Sequence, residues 1–356
     1  MSTEATLEEW KKLYELAKEF KKRKPWLQLA NLDIMELKLD GEETAYLTVL
    51  GDGGEIFGFS LYVGDDALNK LRMIACQEEL AIDTQLVLYE QDCINMTIGG
   101  RDDLDEEQYE LIRALRERFR GNGWIYFKRF EPGMYPVNLN KKEVEICTKY
   151  LQLFLDKTKE KRFIEPIEPE DLLIENVHVT DESLKHNLKN APSCNETWEL
   201  DFYPMFNNIA EHEEYEKPIV VGVCLIAKHD DGERRGYKTI TPREYQKQVM
   251  QTFADSILKY GKPNKIVVQN RLLEAMIKDI CEICSIEIGF AVAEFCWQEM
   301  KNLERHLEEP SGMLSELLRN IDVSAFAEEM TEEEMEQKFK EAMRKAMANM
   351  KNEGSD

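Results

Sequence analysis

Two carboxylates in the second half of the chain are the residues best suited to chemistry. Glu199 and Asp201 lie in TWELDFY (197–203), where polar and apolar residues alternate as in a β-strand. Glu274 and Glu294 fall on predicted helices further along the chain. Carboxylates are preferred ligands of Mg²⁺ and Mn²⁺, and two such ions can clamp both oxygens of a phosphoryl transfer. One hypothesis is therefore a metal-dependent hydrolase or nuclease-like enzyme that uses Asp201 and the neighbouring carboxylates, with Mg²⁺ or Mn²⁺ as its cofactor.

A Cys-x-x-Cys motif, Cys281 to Cys284, is a second candidate for chemistry. A structural zinc site needs four ligands, usually from two such pairs, and the sequence has no second pair. A redox dithiol would sit at the start of a helix that follows a strand, whereas these residues fall late in a predicted helix. We expect both cysteines to be buried core residues, with a redox or metal role as the alternative.

Two further patterns favour structural roles. The glycine-rich segment 51–59 lacks the Gly-Lys-Ser/Thr of a phosphate-binding loop and lies between apolar strands, which predicts a hairpin turn. The histidines show no metal-binding spacing, so we expect surface or turn positions for them: His178, His186, His212, His229 and His306.

The composition limits the class of partner. The formal net charge is −24, which argues against general binding to nucleic acid and to anionic membrane surfaces. With 43% hydrophobic residues, the chain can build substantial cores. No run of about 18 apolar residues occurs, so we expect no membrane span. The N-terminus lacks an apolar signal core, and we expect a cytoplasmic protein with eight free thiols.

Hydrophobic periodicity predicts the elements of the first half. Strands are expected near 33–39, 45–50, 56–63, 85–90, 93–98 and 124–130. Helices are expected over 6–24, 65–76, 105–119 and 140–161.

The second half begins with a weak strand near 174–180 and an irregular stretch over 181–196. Strands follow near 197–203, 218–228, 235–240, 265–268 and 286–290, the second and third forming a hairpin around Asp230-Asp231-Gly232. Helices are expected over 242–260, 270–283 and 291–307.

These elements predict a mixed α/β (α+β) protein of two modules with mixed sheets and flanking helices, plus a helical tail. The modules are residues 1–162 and 172–307, separated by the acidic, proline-containing linker 163–171. The acidic, methionine-rich tail is 308–356. Within it, Thr331 and Glu334 form a capping-box pattern that predicts a helix through about Met350. One side of that helix is apolar and is a candidate partner-binding surface: Met335, Phe339, Ala342, Ala346 and Met350.

The second module has three strands followed by alternating helices and strands, an order that resembles a ribonuclease H-like fold. Such enzymes hold two metals with carboxylates from the first strand, the end of the fourth strand and nearby helices. Asp201 lies on the first strand, but the fourth strand ends in KIVVQN, which places Gln269 and Asn270 where a carboxylate is needed. Neutral amides do not supply the negative charge that a hard cation needs. This topology without its metal site is the reading that we favour.

Motifs spread over residues 6–307 carry a family resemblance. They are Trp10, Tyr14 and Phe20 followed by Lys24-Pro25-Trp26, the strand around Gly54 to Gly64, and GKPNKIVVQNRLL (261–273) followed by an IEIGF strand. Together they resemble a group of uncharacterised bacterial proteins with two paired domains of unknown function. Some of those proteins carry an added cysteine-rich zinc motif that this chain lacks, and the resemblance implies no catalytic residues.

Our prediction for function is a non-catalytic protein-binding or adaptor protein without a cofactor. The partner would be another protein, and the sequence predicts no oligomeric state. The metal-dependent enzyme remains the alternative.

Overall fold

The computed structural model describes residues 4–54, 56–156, 162–164 and 168–308. The chain forms two compact units. Among the described residues, the first unit comprises those up to 174 together with 213–219, and the second comprises 175–212 and 220–308.

The first unit combines an antiparallel sheet with helices. Its strands are β1 (Met35–Leu37), β2 (Ala45–Leu50), β3 (Phe57–Val63), β4 (Cys93–Gly99), β5 (Trp124–Phe130) and β6 (Arg162–Phe163). Its helices are α1 (Leu7–Arg23), α2 (Ala67–Ala75), α3 (Thr84–Tyr89), α4 (Glu106–Ala114) and α5 (Lys141–Leu155). Short 3₁₀ turns cover Pro25–Leu27 and Pro169–Asp171.

The strand order in this sheet is β5-β4-β3-β2-β1-β6, and every pair that it contains is antiparallel. The prediction of a hairpin at the glycine-rich segment is confirmed, because β2 and β3 pair in register from Ala45–Val63 to Leu50–Gly58. The amide of Gly54 donates to the carbonyl of Gly51 and closes the turn.

The core of the first unit lies beneath α1 and α5, which pack against each other. Leu13, Ala17 and Phe20 recur at helical spacing on α1, and all three are fully buried. They meet apolar side chains from the sheet strands and from α5. The helix predicted over 6–24 is therefore present as α1, and its apolar stripe builds this core.

One predicted strand of the first unit is wrong. Residues 84–89 form the helix α3, where we expected a strand near 85–90. Asp83 accepts a hydrogen bond from the amide of Gln85 and caps this helix, while Leu86, Val87 and Tyr89 are buried. A short apolar run is compatible with a strand or with a helix, and here the Asp83 cap stabilises the helix.

The second unit is built on a mixed five-stranded sheet. Its strands are β7 (Thr197–Ala210), β8 (Ile219–Lys228), β9 (Arg234–Ile240), β10 (Lys265–Val268) and β11 (Glu287–Phe290). Its helices are α6 (Glu182–Asn190), α7 (Tyr245–Tyr260), α8 (Arg271–Cys284) and α9 (Glu294–Glu308).

The strand order in the second sheet is β11-β10-β7-β8-β9. β10 pairs in parallel with both β7 and β11, whereas β8 and β9 form an antiparallel hairpin. The amide of His229, just after β8, donates to the carbonyl of Thr197 at the start of β7, so these two strands are also antiparallel. The predicted ribonuclease H-like order of strands and helices is thus present.

Opposite faces of this sheet are covered by different helices. On one face, Trp198 and Phe202 contact Phe253 and Tyr245 of α7. On the other, Tyr203 and Met205 pack against Met300 of α9. Side chains alternate along a strand, so Glu199 and Asp201 share the α9 face.

Several expectations for the second unit are corrected. Residues 181–196 are not irregular throughout, because α6 occupies part of them and the Asp181 side chain caps it by accepting from the amides of Ser183 and Leu184. No strand forms over 174–180, all of which are described; the amide of Val177 instead donates to the carbonyl of Ala275 on α8. β7 continues to Ala210, beyond the predicted end at Tyr203.

The mixed α/β class is confirmed for both units. The predicted tail helix and its apolar residues, Met335, Phe339, Ala342, Ala346 and Met350, lie outside the described residues. Within the described residues, no helix is both long enough and apolar enough to cross a membrane.

Candidate functional site

The candidate site is the α9-facing side of β7, where two carboxylates stand on one buried face. Glu199 is fully buried, and Asp201 is 4% exposed. A buried carboxylate is strongly destabilising unless donors satisfy its oxygens, so the partners of these two groups decide what the site can do.

Glu199 is held by the start of α9 and by a histidine. One of its oxygens, Oε2, accepts from the amides of Phe295 at 2.9 Å and Cys296 at 3.3 Å. The other, Oε1, lies 2.6 Å from Nδ1 of His229. The unpaired amides at the start of a helix favour a negative charge there. Glu199 therefore joins β7 to α9.

Asp201 is held by the neighbouring strand. Its Oδ1 accepts from the amide of Phe202 at 2.9 Å, and its Oδ2 accepts from Nε2 of Gln269. Gln269 directly follows β10, the parallel neighbour of β7. The expectation that Asp201 lies on a strand, with Gln269 at the end of the adjacent strand, is confirmed.

Cys296 lies beside these carboxylates but is a poor nucleophile. Burial, and then the charges of Asp201 and Glu199, raise the pKa of its thiol well above the ordinary value. Its Sγ is 3.6 Å from the carbonyl oxygen of Leu225. At neutral pH this thiol is protonated, and only a thiolate would attack an electrophile or bind a metal.

The other predicted acids take separate places. Glu274 is in the first turn of α8, and Glu294 is the exposed first residue of α9. In the described part of the chain, no group of three or more histidine, cysteine, aspartate or glutamate side chains is arranged to hold a metal ion.

The sequence prediction missed His229, which we placed among the surface and turn histidines. It does follow β8 at the start of a turn, and its side chain is 45% exposed, but its ring contacts the buried Glu199. Its position in the sequence could have indicated this contact. His229 directly follows β8, which pairs antiparallel with β7, so it lies beside the first residues of β7.

The Cys281–Cys284 pair is buried on α8, as predicted. Cys284 Sγ is 3.5 Å from the carbonyl oxygen of Leu188 on α6. Burial raises the pKa of Cys284 to about 11. The pair thus packs α8 against its neighbours.

Solved structures with some resemblance to the chain are retroviral integrases. The HTLV-2 integrase catalytic core domain in complex with magnesium, in its dimeric form, is 16% identical over 35% of this chain and 80% of its own, with a TM-score of 0.24. Its trimeric form is also 16% identical, over 44% of this chain and 84% of its own, with a TM-score of 0.25. A chain of a simian T-cell lymphotropic virus intasome in complex with PP2A regulatory subunit B56 gamma is 11% identical. The match covers 39% of this chain and 48% of that one, with a TM-score of 0.25. Similarity at this level carries no information about activity.

Family models match both halves of the chain, whereas a comparison with curated proteins finds no match. Residues 10–173 match a domain of unknown function (DUF7309), and residues 184–295 match another (DUF6930). The paired domains that the sequence motifs resemble are thereby identified. The chain carries two domains of unknown function in tandem, DUF7309 followed by DUF6930.

Proposed function

We propose that this chain is a non-catalytic protein-binding adaptor, in which the second unit keeps a ribonuclease H-like topology as a scaffold. The observation that carries the proposal is the hydrogen bond from the Gln269 amide to Asp201. It occupies a carboxylate oxygen that a metal would need, and it places a neutral group where a second carboxylate would be required.

The donors to Glu199 also support a scaffold without a metal. Glu199 accepts from two backbone amides and contacts His229, so its oxygens serve the packing of β7, β8 and α9. A metal at this face would have to displace these donors and leave them buried without partners. Each such group costs about 1–3 kcal/mol.

Exposed apolar side chains support a protein partner. Phe290, Val292 and Trp297 lie within eight residues of each other and are 55%, 59% and 46% exposed. They span the end of the edge strand β11 and the first turn of α9. Aromatic side chains are enriched at the centres of protein interfaces. We propose that this segment, Phe290–Trp297, contacts a protein that presents apolar side chains.

We also propose a cytoplasmic location. All eight cysteines are free, and seven of them are buried. Free thiols persist in reducing compartments, where disulfides are rare.

A nuclease assay tests the scaffold. Wild-type protein and the Asp201→Ala variant are incubated with Mn²⁺ or Mg²⁺ and single- or double-stranded DNA and RNA. We expect no cleavage that depends on Asp201. Asp201→Ala should instead lower the free energy of unfolding by about 1–3 kcal/mol, because the Gln269 amide loses its acceptor. Asp255→Ala, at an exposed position of α7, is the matched control. Cleavage that disappears in Asp201→Ala would establish the metal-dependent enzyme instead.

Site-specific crosslinking tests the partner. A photoreactive residue at position 297 should capture one discrete protein in cells of the source organism, whereas the same group at the exposed position 175 should not. Phe290→Ser, introduced with the crosslinker at 297, should abolish the capture without changing the melting temperature. Equal capture from both positions would contradict a specific surface.

A further inference from the structure

A pocket of about 460 Å³ lies in the first unit, where the N-terminal ends of α1, α4 and α5 meet. Three aromatic rings form its floor: Trp10, Tyr14 and Phe127, with centroids 5.6–6.2 Å apart. Leu111 of α4 lines one wall. A concave apolar site of this size, with a few polar groups, is typical of small-ligand pockets.

The charged groups that line the pocket are acidic. Glu4 and Glu107 are among its lining residues, and none of its described lining residues is a lysine, arginine or histidine. The nearby cations are already paired: Lys128 with Asp105 at 2.5 Å, and Lys141 with Glu9 at 3.2 Å. An organic cation is therefore favoured here over an anion.

Helix N-termini by themselves attract anions, so their effect has to be compared with these acids. Each of the three ends carries its own capping box, formed by Thr6 with Glu9, Asp105 with Gln108, and Asn140 with Glu143. The first turns also hold acidic side chains of the chain itself. At α1 and α4, about half a positive charge per helix end is thus opposed by two acidic side chains of the first turn, whereas at α5 Glu143 lies beside Lys141 and Lys142, the first of which is paired with Glu9.

A polar side chain in the pocket wall orients one of the acidic groups. Asn138 directs its Nδ2 to Glu107 at 2.7 Å, which fixes the orientation of the amide. Its Oδ1 is buried and finds no hydrogen-bond partner within the described structure. Almost no surface of Oδ1 is accessible to solvent, so this atom does not face the pocket, and the role of Asn138 here is to position Glu107 through Nδ2.

We propose that this pocket binds a small primary amine with an apolar body, its hydrocarbon part on the Trp10–Tyr14–Phe127 floor and its ammonium group beside Glu107. This site belongs to the first unit and does not depend on the adaptor function proposed above.

A matched pair of probes tests the ligand class. The full-length protein is titrated with 2-phenylethylamine and with 3-phenylpropionate, which share the same body and differ in the charge of the end group, by ligand-observed NMR. We expect saturable binding of the amine at millimolar concentration and no saturable binding of the acid. Stronger binding of the acid would show that the helix N-termini dominate, and equal binding would show a purely apolar pocket; either result overturns the proposal.

Two variants locate the site. Glu107→Gln should weaken amine binding about fivefold or more, because fivefold is the effect of removing one unit charge at about 4 Å in fully aqueous surroundings. Glu110→Gln, on the same helix but outside the pocket, should leave binding unchanged. Leu111→Trp should block binding by filling the pocket while the melting temperature confirms folding. Unchanged binding in both Glu107→Gln and Leu111→Trp would overturn the proposal.

Discussion

The buried polar residues of the second unit act mainly as connectors. Glu199 and Asp201 lie two residues apart on β7, yet each is held by a different neighbour. Glu199 binds the start of α9, and Asp201 binds the residue after β10. A third acid, Glu196, accepts two hydrogen bonds from the guanidinium of Arg235, at 2.7 and 2.9 Å, and one from the indole of Trp198 at 2.6 Å.

The Glu196–Arg235 pair should make the free energy of unfolding depend on pH in the acid range. The Arg235 hydrogen bonds lower the pKa of Glu196 from 4.5 to about 2. Between these values the unfolded chain binds a proton that the folded chain does not, so the stabilisation is complete above pH 4.5 and is lost as the pH falls toward 2. We expect Glu196→Gln to flatten the pH dependence of the unfolding free energy in that window, measured by urea denaturation. Glu175→Gln, at an exposed position, is the control and should leave the wild-type slope intact.

Thiol reactivity should report the burial of the cysteines. Seven of the eight cysteines are buried, and Cys194 is half-buried. Burial raises the pKa of the buried thiols of the second unit, Cys224, Cys281, Cys284 and Cys296, and so suppresses the reactive thiolate. We expect Ellman's reagent at pH 8 to label one thiol of the native protein within minutes and the other seven only after unfolding. The fast phase should vanish in Cys194→Ser; rapid labelling of Cys281 or Cys284 would show that α8 opens readily.

At the scale of elements, the close approach of β3 to β4 depends on a glycine. Gly58 has φ +154°, and an added Cβ would lie 1.9 Å from the carbonyl oxygen of Met96 on the neighbouring strand. A side chain here would force the two strands apart, which is why only glycine fits at this position of the pairing.

We therefore expect Gly58→Ala to destabilise the first unit by about 1–3 kcal/mol, in the range of overpacked core positions. Gly53→Ala is the matched control, because nothing lies within 4 Å of its added Cβ and its φ is not in the left-handed region. Thermal unfolding followed by circular dichroism measures both. Equal melting temperatures for the two variants would mean that β3 and β4 can separate without loss of stability.

At the scale of the whole molecule, the boundary between the domains is still a prediction. We expect the acidic linker at 163–171 to be exposed and to be cut first in limited proteolysis, giving fragments that each unfold cooperatively. Mass spectrometry of the first fragments locates the cut. Initial cleavage within either module, with 163–171 intact, would contradict this boundary.

The tail prediction also belongs to this scale. Its amphipathic pattern, with Met335 and Phe339 on one side, is suited to binding a partner of adaptable shape. Deleting residues 313–356 should leave the melting temperature of both units nearly unchanged and should remove partner binding through the tail. A fall of more than about 8 °C would show that the tail is part of a core and is not an adaptor surface.

Elements with strong periodicity or a turn signal could be predicted from the sequence alone. Local patterns indicate the apolar stripe of α1, the glycine turn between β2 and β3, the hairpin at 230–232 and the succession of strands and helices along the second unit. Those patterns also placed Asp201 on β7 and Gln269 directly after β10, and the parallel register of the two strands, with Glu199 opposite Val267, brings these side chains together. The helices α3 and α6 were not predicted, because short segments carry too little periodicity to distinguish a helix from other structure. The aspartates at 83 and 181 cap and stabilise these two helices.

Only the tertiary structure decided how the carboxylates are used. A glutamate in a strand can bind a metal, cap a helix or pair with a histidine, and the sequence around Glu199 is compatible with each of these. The choice depends on which donors the fold brings within 3 Å, and here they come from the residue after β8 and from the start of α9, 30 and 96 residues away in sequence. Hydrogen bonds between distant segments leave no local sequence pattern, so only the tertiary structure shows that donors from the fold occupy the oxygens of Glu199.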